Sequence, residues 1–287
     1  MKSTASAEIG QFKWTADESG KCSSISSRER CTILRCEPIV DSNTLLWTCL
    51  AKGAFMCLNK GGSKQAIFHR WNYRFDEQHK KVHIHQSVSS HNAATDEVKC
   101  NGKSYSRLTT EITEVVVADL SKPDNPLILD SSDAAQFKID DHEVWLSKRA
   151  LGFHSPFFYN LFTKDFKEKA EDFYELDDIC LEDFIHFLAL IHGIRMPINE
   201  DSVEYLLELG DEFMCKSVLQ QCEDYLQSAG VKDIPLMEKF HFADRFKLHQ
   251  LAMDTVEKMS VGELKSVPHP DISQFTSELV LQKLSSF

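Results

Sequence analysis

Residues 132–162 read SDAAQFKIDDHEVWLSKRALGFHSPFFYNLF, and the reading of this stretch decides the fold. Phe137, Ile139, Val144 and Leu146 stand in two short apolar runs, with Asp140-Asp141-His142 between them. Short acidic and polar side chains suit a turn, so the spacing predicts a hairpin with 137–139 paired to 143–147. Lys148 to Gly152 suits a short helix. Ser155-Pro156 then marks a second helix start, because serine accepts a free backbone N–H and proline needs none at the first turn. Phe157, Phe158, Leu161 and Phe162 follow at helical spacing and define a wide apolar face.

Working outward, the pattern breaks at 163–172, TKDFKEKAED, where Phe166 is the one large apolar residue in a charged run. That run reads as an exposed loop. Phe173-Tyr174-Glu175-Leu176 predicts a short strand turned by Asp177-Asp178. Leu181 to His192 predicts a helix burying Phe184, Ile185, Phe187, Leu188 and Ile191. Asp201 or Ser202 caps a third helix through Leu209, and Val218 to Leu226 makes a fourth.

The ordered pieces from Asp133 to Gln227 resemble a BTB (POZ) domain. They are Ser132-Asp133, Lys148-Arg149-Ala150-Leu151, Ser155-Pro156-Phe157-Phe158, Leu161-Phe162 and Phe166-Lys167-Glu168. They continue with Glu175-Leu176-Asp177-Asp178-Ile179, Ile191-His192-Gly193, the run Val203 to Phe213, and Cys222-Glu223-Asp224-Tyr225-Leu226. The sequence departs from the family at Ser147, where a histidine is usual, at Ile191, and at Ala134-Ala135, which make a weakly apolar first strand.

Before this stretch, residues 1–125 lack helical periodicity. Short β-type runs recur about every ten residues: Gln11–Trp14, Cys31–Cys36, Leu45–Lys52, Phe55–Leu58, Ala66–Tyr73, Lys81–Gln86 and Ile112–Ala118. This predicts an all-β sandwich. A β-sandwich directly before a BTB domain is similar to the MATH–BTB layout, and another sandwich of that size fits the runs equally well. Residues 121–131, KPDNP within them, read as a linker. After the stretch, Met237–Phe246 and Leu248–Met259 predict a helix pair, and Ser277–Leu284 a last short helix. This extension resembles the start of a BACK region. The expected class is α+β: a β-sandwich at 1–120, a linker at 121–131, a BTB domain at 132–228, and a helical extension at 229–287. No repeat of propeller or solenoid length is visible.

Composition narrows the function. Apolar residues make up 42% and charged ones 26%, a globular balance. No apolar run is long enough to span a bilayer and the first residues hold no apolar leader, so the expectation is a cytoplasmic or nuclear protein. Of the nine cysteines, six precede residue 101, and none form C-x-x-C pairs, which favours free buried thiols over a disulfide framework. Charge divides unevenly: 17 basic against 14 acidic residues up to 125, and 15 against 30 beyond. A half with net charge −15 repels phosphate, so nucleic acid is not an expected partner; it suits a basic protein surface or simply confers solubility.

Candidate sites follow. Phe166-Lys167-Glu168 matches the loop with which BTB adaptors dock on the cullin-3 scaffold, and burial of one phenylalanine in a partner pocket contributes about 1.5–3 kcal/mol. The other reading folds Phe166 back onto its own domain. The resemblance also implies a homodimer through Asp133, Leu151, Phe153, Phe157, Phe158 and Leu161. Phe157 and Phe158 diverge by about 100° on a helix, so one can face the core and the other a partner, or both can be core. Asp133 serves equally as a turn residue before a strand, and Lys148 as a solvated helix residue. His83 and His85 share one strand face near His79 and Cys100, but structural zinc wants about four well-spaced nitrogen or sulfur ligands, so no metal or other cofactor is expected. No phosphate loop, nucleophile elbow or H-E-x-x-H occurs, and Gly61-Gly62-Ser63-Lys64 is too short to cradle phosphate, so no enzyme is expected. The expected function is a protein-interaction adaptor that recruits a protein substrate through residues 1–120 to a cullin-3 RING ubiquitin ligase. The alternative is a BTB oligomerisation scaffold or transcriptional co-regulator without ligase work.

Overall fold

The computed structural model describes residues 4–19, 31–40, 42–58, 66–85, 97–99, 105–164, 173–228, 234–267 and 272–286. The chain divides into two compact units, Met1–Asp119 and Leu120–Phe287.

The first unit is built from β1 (Thr4–Ile9), β2 (Phe12–Ser19), β3 (Cys31–Pro38), β4 (Leu45–Leu58), β5 (Ala66–Asp76), β6 (Lys81–His85), β7 (Glu97–Lys99) and β8 (Tyr105–Asp119). They form one sheet of order β1-β2-β3-β6-β7 and a second of order β5-β4-β8. The described pairings are antiparallel except β6 with β7. Alternate side chains of both sheets fill one core: Phe12, Trp14, Leu34 and Cys36 from the first, Trp47, Cys49, Trp71 and Phe75 from the second. Phe12 meets Trp47 at 5.5 Å between ring centroids, and Trp14 meets Phe75 edge-on at 5.2 Å.

Two of the expected runs, Leu45–Lys52 and Phe55–Leu58, are a single strand. Gly53 joins them instead of breaking them. A Cβ built there would lie 1.9 Å from Thr109 O and 2.5 Å from Trp71 Nε1, so the close approach of β8 and of the Trp71 ring requires glycine. β1 and β7 were not expected: β1 alternates only the small Ala5 and Ala7 with Ile9, and β7 is three residues long; β1 is exposed and held at the sheet edge by its ladder to β2.

The second unit opens with a hairpin of β9 (Ala134–Ile139) and β10 (His142–Ser147), with Ile139 opposite His142. Asp140 takes φ +49° in the two-residue turn, a conformation that aspartate tolerates better than most residues. β11 (Phe173–Leu176) adds in parallel beside β9, giving the order β10-β9-β11. The hairpin starts three residues earlier than the sequence suggests because Ala134 and Ala135 are buried strand residues despite their weak apolar signal.

Residues 120–133, most of which read as a linker, pack on this hairpin. Trp145 N donates to Leu120 O at 2.7 Å, and Asn125 Nδ2 donates to Trp145 O at 3.0 Å. Leu120 and Asn125 are buried. These bonds satisfy backbone groups on the outer side of β10 that a bare edge would expose.

Around the sheet lie α1 (Lys148–His154), α2 (Pro156–Thr163), α3 (Leu181–Ile191), α4 (Val203–Glu212) and α5 (Lys216–Gln227). α3 is buried on every side from Phe184 to Ile191, as a central helix with apolar residues all round should be. Asp140 Oδ2 accepts from Leu181 N at 2.9 Å and so fixes the hairpin turn to the start of α3. Ser202 stands at the N-cap of α4, but its hydroxyl accepts from Asn199 N instead of a helix N–H.

The extension holds α6 (Leu236–Arg245), α7 (His249–Lys258), α8 (Val261–Ser266) and α9 (Gln274–Leu284). α6 ends as α4 does. Phe213 and Phe246 close their helices, Met214 and Lys247 take φ +53° and +56°, and the next amide reaches back to Gly210 O or Ala243 O. The extension is bonded to the preceding helices. Buried Glu223 of α5 accepts from Leu251 N at 2.9 Å, Gln227 Nε2 donates to Asp254, and Arg245 pairs with Glu208 at 2.8 Å. Lys283 Nζ donates to Val256 O, Glu257 O and Met259 O at 2.6–2.7 Å, supplying positive charge to the carbonyl end of α7. No described helix is long and apolar enough to cross a membrane.

Candidate protein-interaction surface

The α1–α2 corner is set by two serines. Ser147 Oγ accepts from Ala150 N at 3.0 Å and donates to Asp133 Oδ2 at 2.8 Å. Ser155 Oγ accepts from Phe158 N at 3.1 Å and donates to Phe213 O at 2.5 Å. Each serine thus caps one helix while tying it to another part of the unit. Pro156 occupies the first turn of α2, as its missing N–H and fixed φ allow.

Asp133 is buried and accepts three hydrogen bonds, from Leu129 N at 3.0 Å, Ser147 Oγ at 2.8 Å and Arg149 N at 2.8 Å. Its carboxylate therefore joins the lead segment, the end of β10 and the first turn of α1. Carboxylate at a helix N-terminus is favourable because the free N–H groups carry partial positive charge. Arg149 also reaches Asp130 at 2.9 Å on the surface. The Ser132 hydroxyl and amide hold the Asp130 carboxyl below its ordinary range, with Arg149 adding to them.

Of the six residues that the BTB resemblance assigns to a dimer contact, Asp133, Leu151 and Phe158 are buried inside the unit itself. Phe153 is 85% exposed, and Phe157 and Leu161 are half-buried. The adjacent pair divides as helical geometry requires: Phe158 packs on Phe213 at 4.7 Å and Phe137 at 6.0 Å, whereas Phe157 covers Phe213 from the outer side at 5.4 Å. Tyr159 and Met214 add exposed apolar area, at 58% and 55% exposure. Neither was singled out from the sequence. Tyr159 lies one position beyond the aromatic pair, and Met214 is turned outward by its positive φ, which no local pattern announces. The hidden members support this face from behind, and Phe153, Tyr159 and Met214 are its most exposed apolar side chains.

His192, at the C-terminal end of α3, is held below its ordinary pKa, first by burial and then by neighbouring His154, against the pull of Asp133. His154 Nδ1 lies 3.2 Å from Ser217 Oγ. Lys148 is half-buried and its amide donates to Asp133 O at 2.8 Å.

Phe166, Lys167 and Glu168 lie outside the described residues, as do Cys100 and the Gly61–Lys64 turn. The side chain of His85 is likewise not described. His79 turns to Asp76, with Nδ1 at 3.0 Å from Oδ1, and no group of metal-ligating side chains occurs among the described residues.

The second unit is thus a hairpin with a parallel third strand, a buried central helix and helical pairs behind it, with exposed aromatic side chains on α1 and α2. The BTB/POZ domain family model matches residues 132–229. Residues 132–229 thus carry the likeness to that family, within a chain of α+β class. It is similar to BTB and MATH domain-containing protein 38 of Caenorhabditis elegans, 32% identical over 151 residues, which cover 51% of this chain and 38% of that protein. BTB and MATH domain-containing protein 36 of the same organism is 24% identical over 290 residues, covering 96% of this chain and 87% of that protein. Kelch repeat and BTB domain-containing protein 1 of Ectromelia virus is 21% identical over 147 residues, 51% of this chain and 26% of that protein. The chain thus spans well under half the length of the first of these relatives and most of the length of the second.

Proposed function

We propose that the protein is an adaptor that pairs through its BTB domain and brings a protein substrate to a cullin-3 RING ubiquitin ligase. The observation that carries this reading is the exposed aromatic face of α1–α2, Phe153 and Tyr159 above all, on a domain whose hidden residues hold both helices rigidly. Large apolar side chains held open on a fixed frame are suited to a protein partner. Two copies of the chain would meet through Phe153, Phe157 and Leu161. The Phe166-Lys167-Glu168 motif supports the cullin contact, since its one apolar side chain stands in a charged run.

The β unit would be a MATH-type substrate-binding domain, a reading supported by the β-sandwich and by the near full-length similarity to a relative named for both domains. The protein would contribute no chemistry. It would act by raising the local concentration of substrate beside the ubiquitin-carrying enzyme, and pairing would add avidity for substrates with two binding segments. The acidic second half favours basic partner surfaces.

The test is affinity purification of the tagged full chain with mass spectrometry, beside a Phe166→Ala variant. Cullin-3 is expected with the parent and at least ~10-fold less with the variant, the effect of losing a buried aromatic contact. Equal recovery of cullin-3 from both removes the site. Absence of cullin-3 from both, with pairing retained, favours the scaffold role.

A further inference from the structure

A pair of buried thiols faces across the β unit, and the proposed adaptor role makes no use of it. Cys36 lies on β3 directly beside Trp14 of β2, in the sheet of order β1-β2-β3-β6-β7. Cys49 lies on β4 directly beside Phe75 of β5, in the other sheet. The Trp14 and Phe75 rings touch at 5.2 Å, so these two rows of side chains oppose each other across the core. Both cysteines are fully buried within that same core, and both are free thiols.

The other described cysteines have different surroundings. Cys180 is exposed before α3. Cys215 Sγ lies 3.4 Å from Ser217 Oγ. The thiol of Cys222 is pushed up to about 12 by burial, which makes it inert.

We propose that Cys36 and Cys49 are a redox couple that closes into an inter-sheet disulfide under a peroxide oxidant, joining the two sheets of the β unit. The electrostatics agree with the geometry. The Cys36 thiol lowers the pKa of Cys49 against the effect of burial, with Arg74 assisting, and Cys49 together with burial raises that of Cys36. Arg74 favours the thiolate of Cys49, so Cys49 attacks first and Cys36 closes the bond.

The Cys49 thiolate attacks one oxygen of hydrogen peroxide. The O–O bond breaks, and the departing hydroxide takes up a proton to leave as water. Cys49 is then a sulfenic acid. The Cys36 sulfur attacks the Cys49 sulfur, the S–S bond forms, the S–O bond breaks, and a second water leaves with the Cys36 proton. The thiol pair loses two electrons, and one peroxide becomes two waters. The product closes a short loop between consecutive strands in a unit built of two sheets, where such a link restricts the unfolded chain.

The experiment uses the reduced full chain, treated with hydrogen peroxide, capped with N-ethylmaleimide and digested without reductant. Exposed Cys180 reports the dose. The expected result is a linked peptide joining Cys36 to Cys49 and lacking two hydrogen atoms, released by dithiothreitol, together with a rise of about 10 °C in the Tm of the oxidised β unit. Cys49→Ala should abolish the linked peptide, and the parent map stands alone if that variant fails to fold. Recovery of Cys36 and Cys49 as capped thiols, or joined to other cysteines, at a dose that oxidises Cys180 overturns the proposal.

Discussion

Phe158→Ala will lower the stability of the BTB-containing unit by about 3–5 kcal/mol, the range for removing a fully buried aromatic side chain. Phe158 has no exposed surface and is ringed by Phe137, Phe213, Phe162 and Phe157 at 4.7–6.2 Å between centroids. These neighbours come from β9, α2 and the turn after α4, so no single element can relax into the cavity. Natural domains are stable by only about 5–15 kcal/mol, so the loss is a large fraction of the whole. Urea unfolding is the measurement: the midpoint should fall with the slope unchanged. The control lies five positions away. Phe153→Ala, at 85% exposure, should change the stability by no more than about 0.5 kcal/mol at a concentration where the chain is a monomer. Comparable losses in both would mean that the two helices pack otherwise than described.

Asp133→Ala will cost about 3 kcal/mol, because it leaves three donors without the carboxylate that now satisfies them. The loss reaches beyond one contact. Ser147 donates a hydrogen bond to Asp133 while accepting one from the Ala150 amide, so removing Asp133 also frees the residue that caps α1. Ser147→Ala alone should cost about 1 kcal/mol, the usual value for a lost N-cap. The double variant should be less destabilised than the sum of the two, since both act on one network. Strict additivity in thermal or urea unfolding would show that the two residues act separately. The Ser147 hydroxyl forms both bonds within a single chain.

Much of the second unit is legible in the chain because its signals are local. Ser155-Pro156 marks a helix start that the structure keeps to the residue, and the apolar residues chosen for α3 are all buried there. The α8 helix was equally legible but passed over: Ser260 and Glu263 have capping-box spacing and make both bonds of that motif. What local signals cannot show is how distant segments meet. Gly53 looked like a strand break and is a close approach to Thr109 O. Asn125 looked like a turn former in a linker and instead binds β10. Met214 gives no sign of its positive φ, because its conformation is set by the turn that lets Cys215 reach Gly210 O. For the surface itself, the sequence identified Phe153 and Phe157 but could not separate exposed members from hidden ones such as Leu151 and Phe158.

The acidic second half bears on specificity more than on strength. Charges on the rim of an interface steer encounter and are screened by salt, whereas apolar contacts, as proposed for Phe153, determine residence. Self-association is therefore expected to survive high salt, while capture of a basic partner should weaken.

The central claim is that the face of α1 and α2 joins two copies of this chain, and sedimentation velocity of the full chain at micromolar concentration tests it most directly. The account predicts a species of twice the chain mass for the parent and a folded monomer for Phe153→Asp. A parent chain that sediments as a monomer, or a variant that remains paired, would contradict it.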